Sequence, residues 1–162
     1  MTMHAMKIAA ISILAGTASA QFWTTDFGFL EGISNTGVGS GSFGTANNEY
    51  FTWDATNGSQ GIGGVAAGNG VGGQGKISND GRYISGTTYN AANDWHEMSR
   101  YDRTTGTWEG FGMLPGFGQQ IDAEVSSGWG ISGDGRSVVG LGWTNLGTAD
   151  AHASQWTEGA GL

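Results

Sequence analysis

Apolar and polar residues alternate in short runs along this chain, and the runs recur. Ser137-Val138-Val139-Gly140-Leu141-Gly142-Trp143 puts Val139, Leu141 and Trp143 on one face, with Val138 and two glycines on the other. A period of two marks a half-buried strand, and a glycine face lets a neighbouring sheet come close. No stretch sustains apolar spacings of three and four, so no substantial helix is expected beyond the first twenty residues.

One pattern occurs three times, as Ile33-Ser34-Asn35-Thr36-Gly37, Ile77-Ser78-Asn79-Asp80-Gly81 and Ile131-Ser132-Gly133-Asp134-Gly135, with a second glycine following at Gly41, Gly86 and Gly140. Downstream of each lies a segment ending in a large ring: Glu49 to Trp53, Glu97 to Tyr101 and His152 to Trp156. A glycine follows each ring within five residues, at Gly58, Gly106 and Gly159. Asp80-Gly81 and Asp134-Gly135 sit between apolar residues, the signal of a tight hairpin whose two central residues take positive φ. The stretch from Asp102 to Gly106 turns the chain between a strand ending at Tyr101 and one starting near Thr107.

Each unit then consists of an Ile-Ser edge, a Val-Val-Gly-type strand, a ring-ending strand and a return strand. Four antiparallel strands in about 45 to 55 residues correspond to one blade of a β-propeller. The expected fold is all-β: repeated four-stranded antiparallel sheets forming a partial propeller of about three blades, after an N-terminal signal helix. The divisions are 1–20 for the signal, 21–75 and 76–129 for two units, and 130–162 for an incomplete third. The least regular strands fall between Ser59 and Gly75, which holds eight glycines. Propellers usually have 4–8 blades, so a truncated reading frame is expected, with further blades or subunits needed to close a ring.

The run from Gly130 to Gly140, together with His152-Ala153-Ser154-Gln155-Trp156, resembles the extracellular HAF repeat of bacteria. Met113-Leu114-Pro115-Gly116 is similar to that family's linker between units. The match is close only in the third unit, where Ser154 replaces the Phe of the family name; Glu49 and Glu97 stand where the third unit has His152. The resemblance implies a propeller-like fold on an exported protein. It implies no defined activity.

Composition agrees with export. Lys7, the apolar run from Ile8 to Ala15 and the small residues of Ala18-Ser19-Ala20 form a secretory signal, with Gln21 as the first mature residue. The apolar run is about half the roughly 20 residues a membrane span needs. Removing the signal takes Lys7 and no acid, leaving 5 basic and 14 acidic residues, or −9. An acidic chain lacks the clustered Lys and Arg of a nucleic-acid surface. With no Cys in the chain, stability rests on packing and backbone pairing instead of disulfides.

The candidate chemistry is thin. His96 and His152 lie at nearly corresponding places, but a zinc site needs three or four converging ligands. Asp80 and Asp134 occupy matching turns without the alternate acids of a calcium loop. Asp94, Glu97, Asp122 and Glu124 are the acids a glycosidase pair would draw on, yet no spacing couples two of them. Ser126, Ser127 and Ser132 lack the Gly-x-Ser-x-Gly elbow of a hydrolase nucleophile. Of the 7 Trp residues, Trp53 and Trp156 are expected in the core and Trp95 is the candidate for ligand contact. No catalytic, cofactor-binding or metal-ligating residue is assigned, and no cofactor. The expected partners are a surface or carbohydrate ligand and further blades or subunits, with no nucleic acid and no membrane segment in the mature chain. The function expected is structural or interactive; the alternatives are a fragment of a secreted carbohydrate-active propeller enzyme and an outer-membrane-anchored passenger domain.

Overall fold

The computed structural model describes residues 28–43, 49–64, 72–115, 124–144 and 150–162; the signal segment at 1–20 lies outside them. Strands β1 (Phe29–Ile33), β2 (Gly39–Ser42), β3 (Tyr50–Asp54) and β4 (Gly58–Gly63) form a four-stranded meander. A second sheet holds β5 (Tyr83–Asn90), β6 (Trp95–Asp102) and β7 (Thr107–Gly110). The third holds β8 (Ser126–Ile131), β9 (Ser137–Trp143) and β10 (Ala151–Thr157). All pairings between these strands are antiparallel. No helix occurs among the described residues.

The second and third sheets carry the remaining strand as a fragment. Ile77 bridges Ile84 beside β5, and Ser85 N–H donates to the Lys76 carbonyl at 2.8 Å, so 76–77 occupies the place β1 has in the first sheet. Gly161 bridges Thr157 at the far side of β10, where a fourth strand would begin. Register confirms the equivalence. Gly41, Gly86 and Gly140 stand opposite Phe51, Ser99 and Ser154, while Gly39, Ile84 and Val138 stand opposite the rings of Trp53, Tyr101 and Trp156.

The sheets stack face to face in chain order. Between the first and second, the buried Tyr50 hydroxyl accepts the Thr87 N–H at 3.0 Å, and the Trp108 indole donates to the Ile62 carbonyl at 2.7 Å. Burial pushes the Tyr50 phenol well above its ordinary pKa, so it stays neutral there. Between the second and third, Met98, Val138 and Trp156 form a cluster, with the Phe111 ring stacked on Trp156 at 3.8 Å. Each such side chain contributes roughly 1.5–3 kcal/mol by leaving water. The Met98 N–H donates to Ser126 Oγ at 2.8 Å and the Val125 N–H to the His96 carbonyl at 2.8 Å, so backbone polarity is satisfied across the gap. A Cβ on Gly128 would lie 2.5 Å from the Gly86 carbonyl oxygen, so the two sheets can approach this closely only over glycine.

Arg100 ties the second sheet to the third. Its side chain is 7% exposed, and its guanidinium lies over the rings of Tyr83 and Trp156 at 4.3 and 4.6 Å. It donates to the Gly135 carbonyl at 2.8 Å and pairs with Glu109 at 2.9 Å. A planar cation suits this slot because its faces stack on rings while its edge makes hydrogen bonds.

Candidate interaction surface

The three recurrent turns share one construction. In the second unit, the Ser78 N–H and carbonyl bond to the Tyr83 carbonyl (2.9 Å) and the Gly81 N–H (3.0 Å), and Ser78 Oγ accepts the Tyr83 N–H at 2.9 Å. The Asp80 carboxylate accepts the Ser78 hydroxyl at 2.6 Å and the Arg82 N–H at 2.9 Å. Ser132, Asp134, Gly135, Arg136 and Ser137 repeat these bonds. In the first unit Thr36 replaces the acid and bonds Ser34 Oγ at 2.8 Å, and the loop is one residue shorter, closing on Val38.

Within the two Asp-Gly turns positive φ is confined to Gly81 (79°) and Gly135 (73°), as it is to Gly37 (81°) in the first turn, and is not shared by Asp80 or Asp134. This corrects the expected hairpin type: each aspartate acts as an acceptor inside the turn. These bonds hold both carboxyls below the usual carboxylate range, the serine hydroxyl being the larger cause.

The turns also bond to one another. The Asn35 N–H donates to the Asn79 carbonyl at 2.9 Å, and the Asn79 N–H donates to the Gly133 carbonyl at 2.8 Å. A one-directional ladder therefore runs along the rim of the stack.

The acids and rings raised as catalytic or ligand candidates are engaged within their own hairpins. Asp94, the one non-glycine residue with positive φ among those described (56°), accepts the Tyr89 hydroxyl at 2.6 Å. Glu97 is buried and accepts the Trp95 indole N–H at 2.8 Å and the Asn90 amide at 3.3 Å. Trp95, the residue expected to meet ligand, is half-buried and donates its indole N–H within its own strand. Glu124 accepts the Trp143 indole N–H at 3.1 Å. Asp122 and Trp23 lie outside the described residues. Ser126 Oγ receives the Met98 N–H and bonds the Gly112 carbonyl, Ser127 Oγ accepts the Trp129 indole N–H, and Ser132 caps its turn. No group of three or more His, Cys, Asp or Glu that could hold a metal occurs among the described residues.

His96 is buried on β6, its ring 5.2 Å from that of Tyr89, while His152 is exposed on β10. Register pairs His96 with Tyr89 on β5 and His152 with Gly142 on β9, so the two do not meet. Burial lowers the His96 pKa below its ordinary 6.5, against an opposing pull from Asp94. The unfolded chain therefore takes up this proton first, and stability falls as pH drops below about 6.5. A second loss comes with the carboxylates. The Arg82 guanidinium holds Asp102 at about 2, so the stability it adds above the unfolded value near 3.8 disappears as pH falls towards 2. Urea midpoints should fall in these two stages, and His96→Gln should remove only the upper one. An unchanged upper stage in the variant would contradict this assignment.

What remains open is the outward face of the third sheet. Trp129, Val139, Gly140, Leu141, Ala153, Ser154 and Gln155 line a concavity of about 500 Å³ there. Trp129 is 43% and Val139 47% exposed. Trp129 stands at the bulge where β8 skips a register position between Gly128 and Gly130. The alternation of β9 identified Val139, Leu141 and Trp143 as one face; nothing in the repeat signature drew attention to Trp129.

No protein-family model matches the chain, and no curated protein matches it. Among solved structures, it is similar to TolB from Acinetobacter baumannii, with TM-score 0.53 and 13% identity over 87% of this chain and 32% of that one. It is also similar to a protein assigned as TolB from Agrobacterium tumefaciens, with TM-score 0.56 and 13% identity over 86% of this chain and 49% of that one. The chain thus spans between a third and a half of the length of these structures. At this identity the likeness concerns fold alone: the three sheets are arranged as in a β-propeller.

Proposed function

We propose that this is an exported, non-enzymatic β-propeller-type protein of the HAF-repeat kind, with a structural or surface-interaction role outside the cytoplasm. The observation that carries the reading is the apolar concavity on the third sheet, an exposed face of the sort that marks interaction sites. Local donors hold Asp94, Glu97 and Glu124, which supports structural roles for the acids a carbohydrate-active enzyme would need. Export is supported by Lys7, the Ile8–Ala15 run and Ala18-Ser19-Ala20. A division into three units belongs to the same reading; of the boundaries 21–75, 76–129 and 130–162, the last moves back to Ser126, because β8 pairs with β9 from there. A need for further blades or subunits belongs to it as well. A surface or carbohydrate ligand fits the exposed Trp129 ring.

Expression in a bacterial host followed by mass spectrometry of the envelope and medium fractions tests the reading. A product starting at Gln21 is expected; a full-length chain retained in the cytosol would contradict it. Turnover of aryl glycosides, lost in Glu97→Gln or Glu124→Gln, would replace it with the carbohydrate-active alternative.

A further inference from the structure

The repeat shows what each face of a sheet meets, so the two end faces can be read against the inner ones. Ile33, Ile77 and Ile131 are equivalent, each opposite Gly39, Ile84 or Val138. Ile77 lies against the first sheet, where a Cβ on Gly32 would sit 3.3 Å from Ile77 Cγ2, and Ile131 packs on the Met98–Val138–Trp156 cluster. Ile33, the same residue of the first sheet, is 69% exposed. The opposite end mirrors this. Ser40, Ser85 and Val139 are equivalent by register; Ser40 and Ser85 are fully buried, whereas Val139 is 47% exposed. At Leu30 and Ile33 of β1 the first sheet thus presents the side that the second and third sheets turn towards their predecessors, while Phe51 further along it is covered, its ring stacked on that of Phe43 at 4.7 Å. The third presents the face that the first and second turn towards their successors.

The turn ladder has matching open ends. Each step is an N–H of one turn donated to the carbonyl of the next, from Asn35 to Asn79 and from Asn79 to Gly133. Among the described residues, the Gly133 N–H has no acceptor and the Asn35 carbonyl no donor.

We propose that two copies of this chain associate head to tail, the third sheet of each seated on the first sheet of the other, closing a ring of six sheets. This deepens the interaction reading above, on which it rests, by naming the partner. A second copy carries the exposed apolar residues Leu30 and Ile33 of β1 and the Asn35 carbonyl that continues the ladder. The strand positions meeting at such a contact include Leu30, Ile33, Val139, Leu141, Ala153 and Gln155, none of them charged, so the net charge of −8 does not oppose it there. The contact is heterologous, and such contacts form rings when the rotation closes. Six sheets fall within the usual propeller range of 4–8 blades.

Sedimentation velocity of the purified chain across micromolar concentrations is the test. Twice the chain mass is expected, with the Gly133 amide exchanging more slowly as the dimer forms. Ile33→Glu and Val139→Glu alter residues exposed in the isolated chain; each should give a monomer with unchanged circular dichroism. Mixing the two variants should restore a species of twice the mass, because each keeps the face the other has lost. A wild-type monomer, open-ended polymers, or a mixture that stays monomeric would overturn the proposal and leave the export test unaffected.

Discussion

Gly135→Val should destabilise the protein by about 3 kcal/mol or more, combining left-handed backbone cost with overpacking. Gly135 sits at φ 73°, and a Cβ there would fall inside the contact envelope of the Tyr83 ring. Tyr83 cannot easily yield, because Arg82 and Arg100 lie over its ring at 4.6 and 4.3 Å. Asp134→Asn keeps the turn geometry and an acceptor oxygen, so its effect should be a small fraction of this. Urea denaturation of the two variants decides the matter. An equal or larger loss in Asp134→Asn, reversed by added calcium, would make the turn an ion site instead.

Arg100→Ala should cost about 3 kcal/mol, since it leaves the buried Gly135 carbonyl without a donor and empties the space between the Tyr83 and Trp156 rings, while Glu109, 55% exposed, returns to water. Arg100→Met retains most of the stem packing and should lose roughly 1 kcal/mol, with Arg100→Lys falling between the two because it cannot stack. Thermal unfolding would order the three variants. An Arg100→Ala protein as stable as the parent would show that the second and third sheets are held by Met98, Val138 and Trp156 alone.

The backbone scheme was legible because it is written in residues with few alternatives. Gly81 and Gly135 require left-handed φ, and β9 alternates cleanly. The return strand after Gly106 began where expected, at Thr107. The Ile-Ser pair was also informative, although Ile131 closes the strand β8 instead of opening it. Contacts between sheets were much less visible. Arg100 follows Ser99 in a polar run, and its burial depends on Tyr83 and Trp156, distant in sequence and joined only by stacking. Trp129 belongs to a bulge, a one-residue register shift that strand alternation does not encode. Trp95 looked available because its neighbours Asn93 and Asp94 are polar. The acceptor that holds it, Glu97, is two residues on and buried.

The candidate site was legible in outline only. Repetition identified the faces, but which faces are covered depends on how many sheets stack. Ile33 and Ile131 look alike in the sequence and differ only because one has a sheet in front of it.

Residue-resolved hydrogen exchange of the amides that cross between sheets gives the most direct check on the stacking of three equivalent sheets. Asn35, Asn79, Thr87, Met98 and Val125 should exchange slowly and lose protection together in rising denaturant, alongside amides within the hairpins. If these five exchange at loop rates while β5 and β6 stay protected, the sheets are independent hairpin units and not blades of one stack.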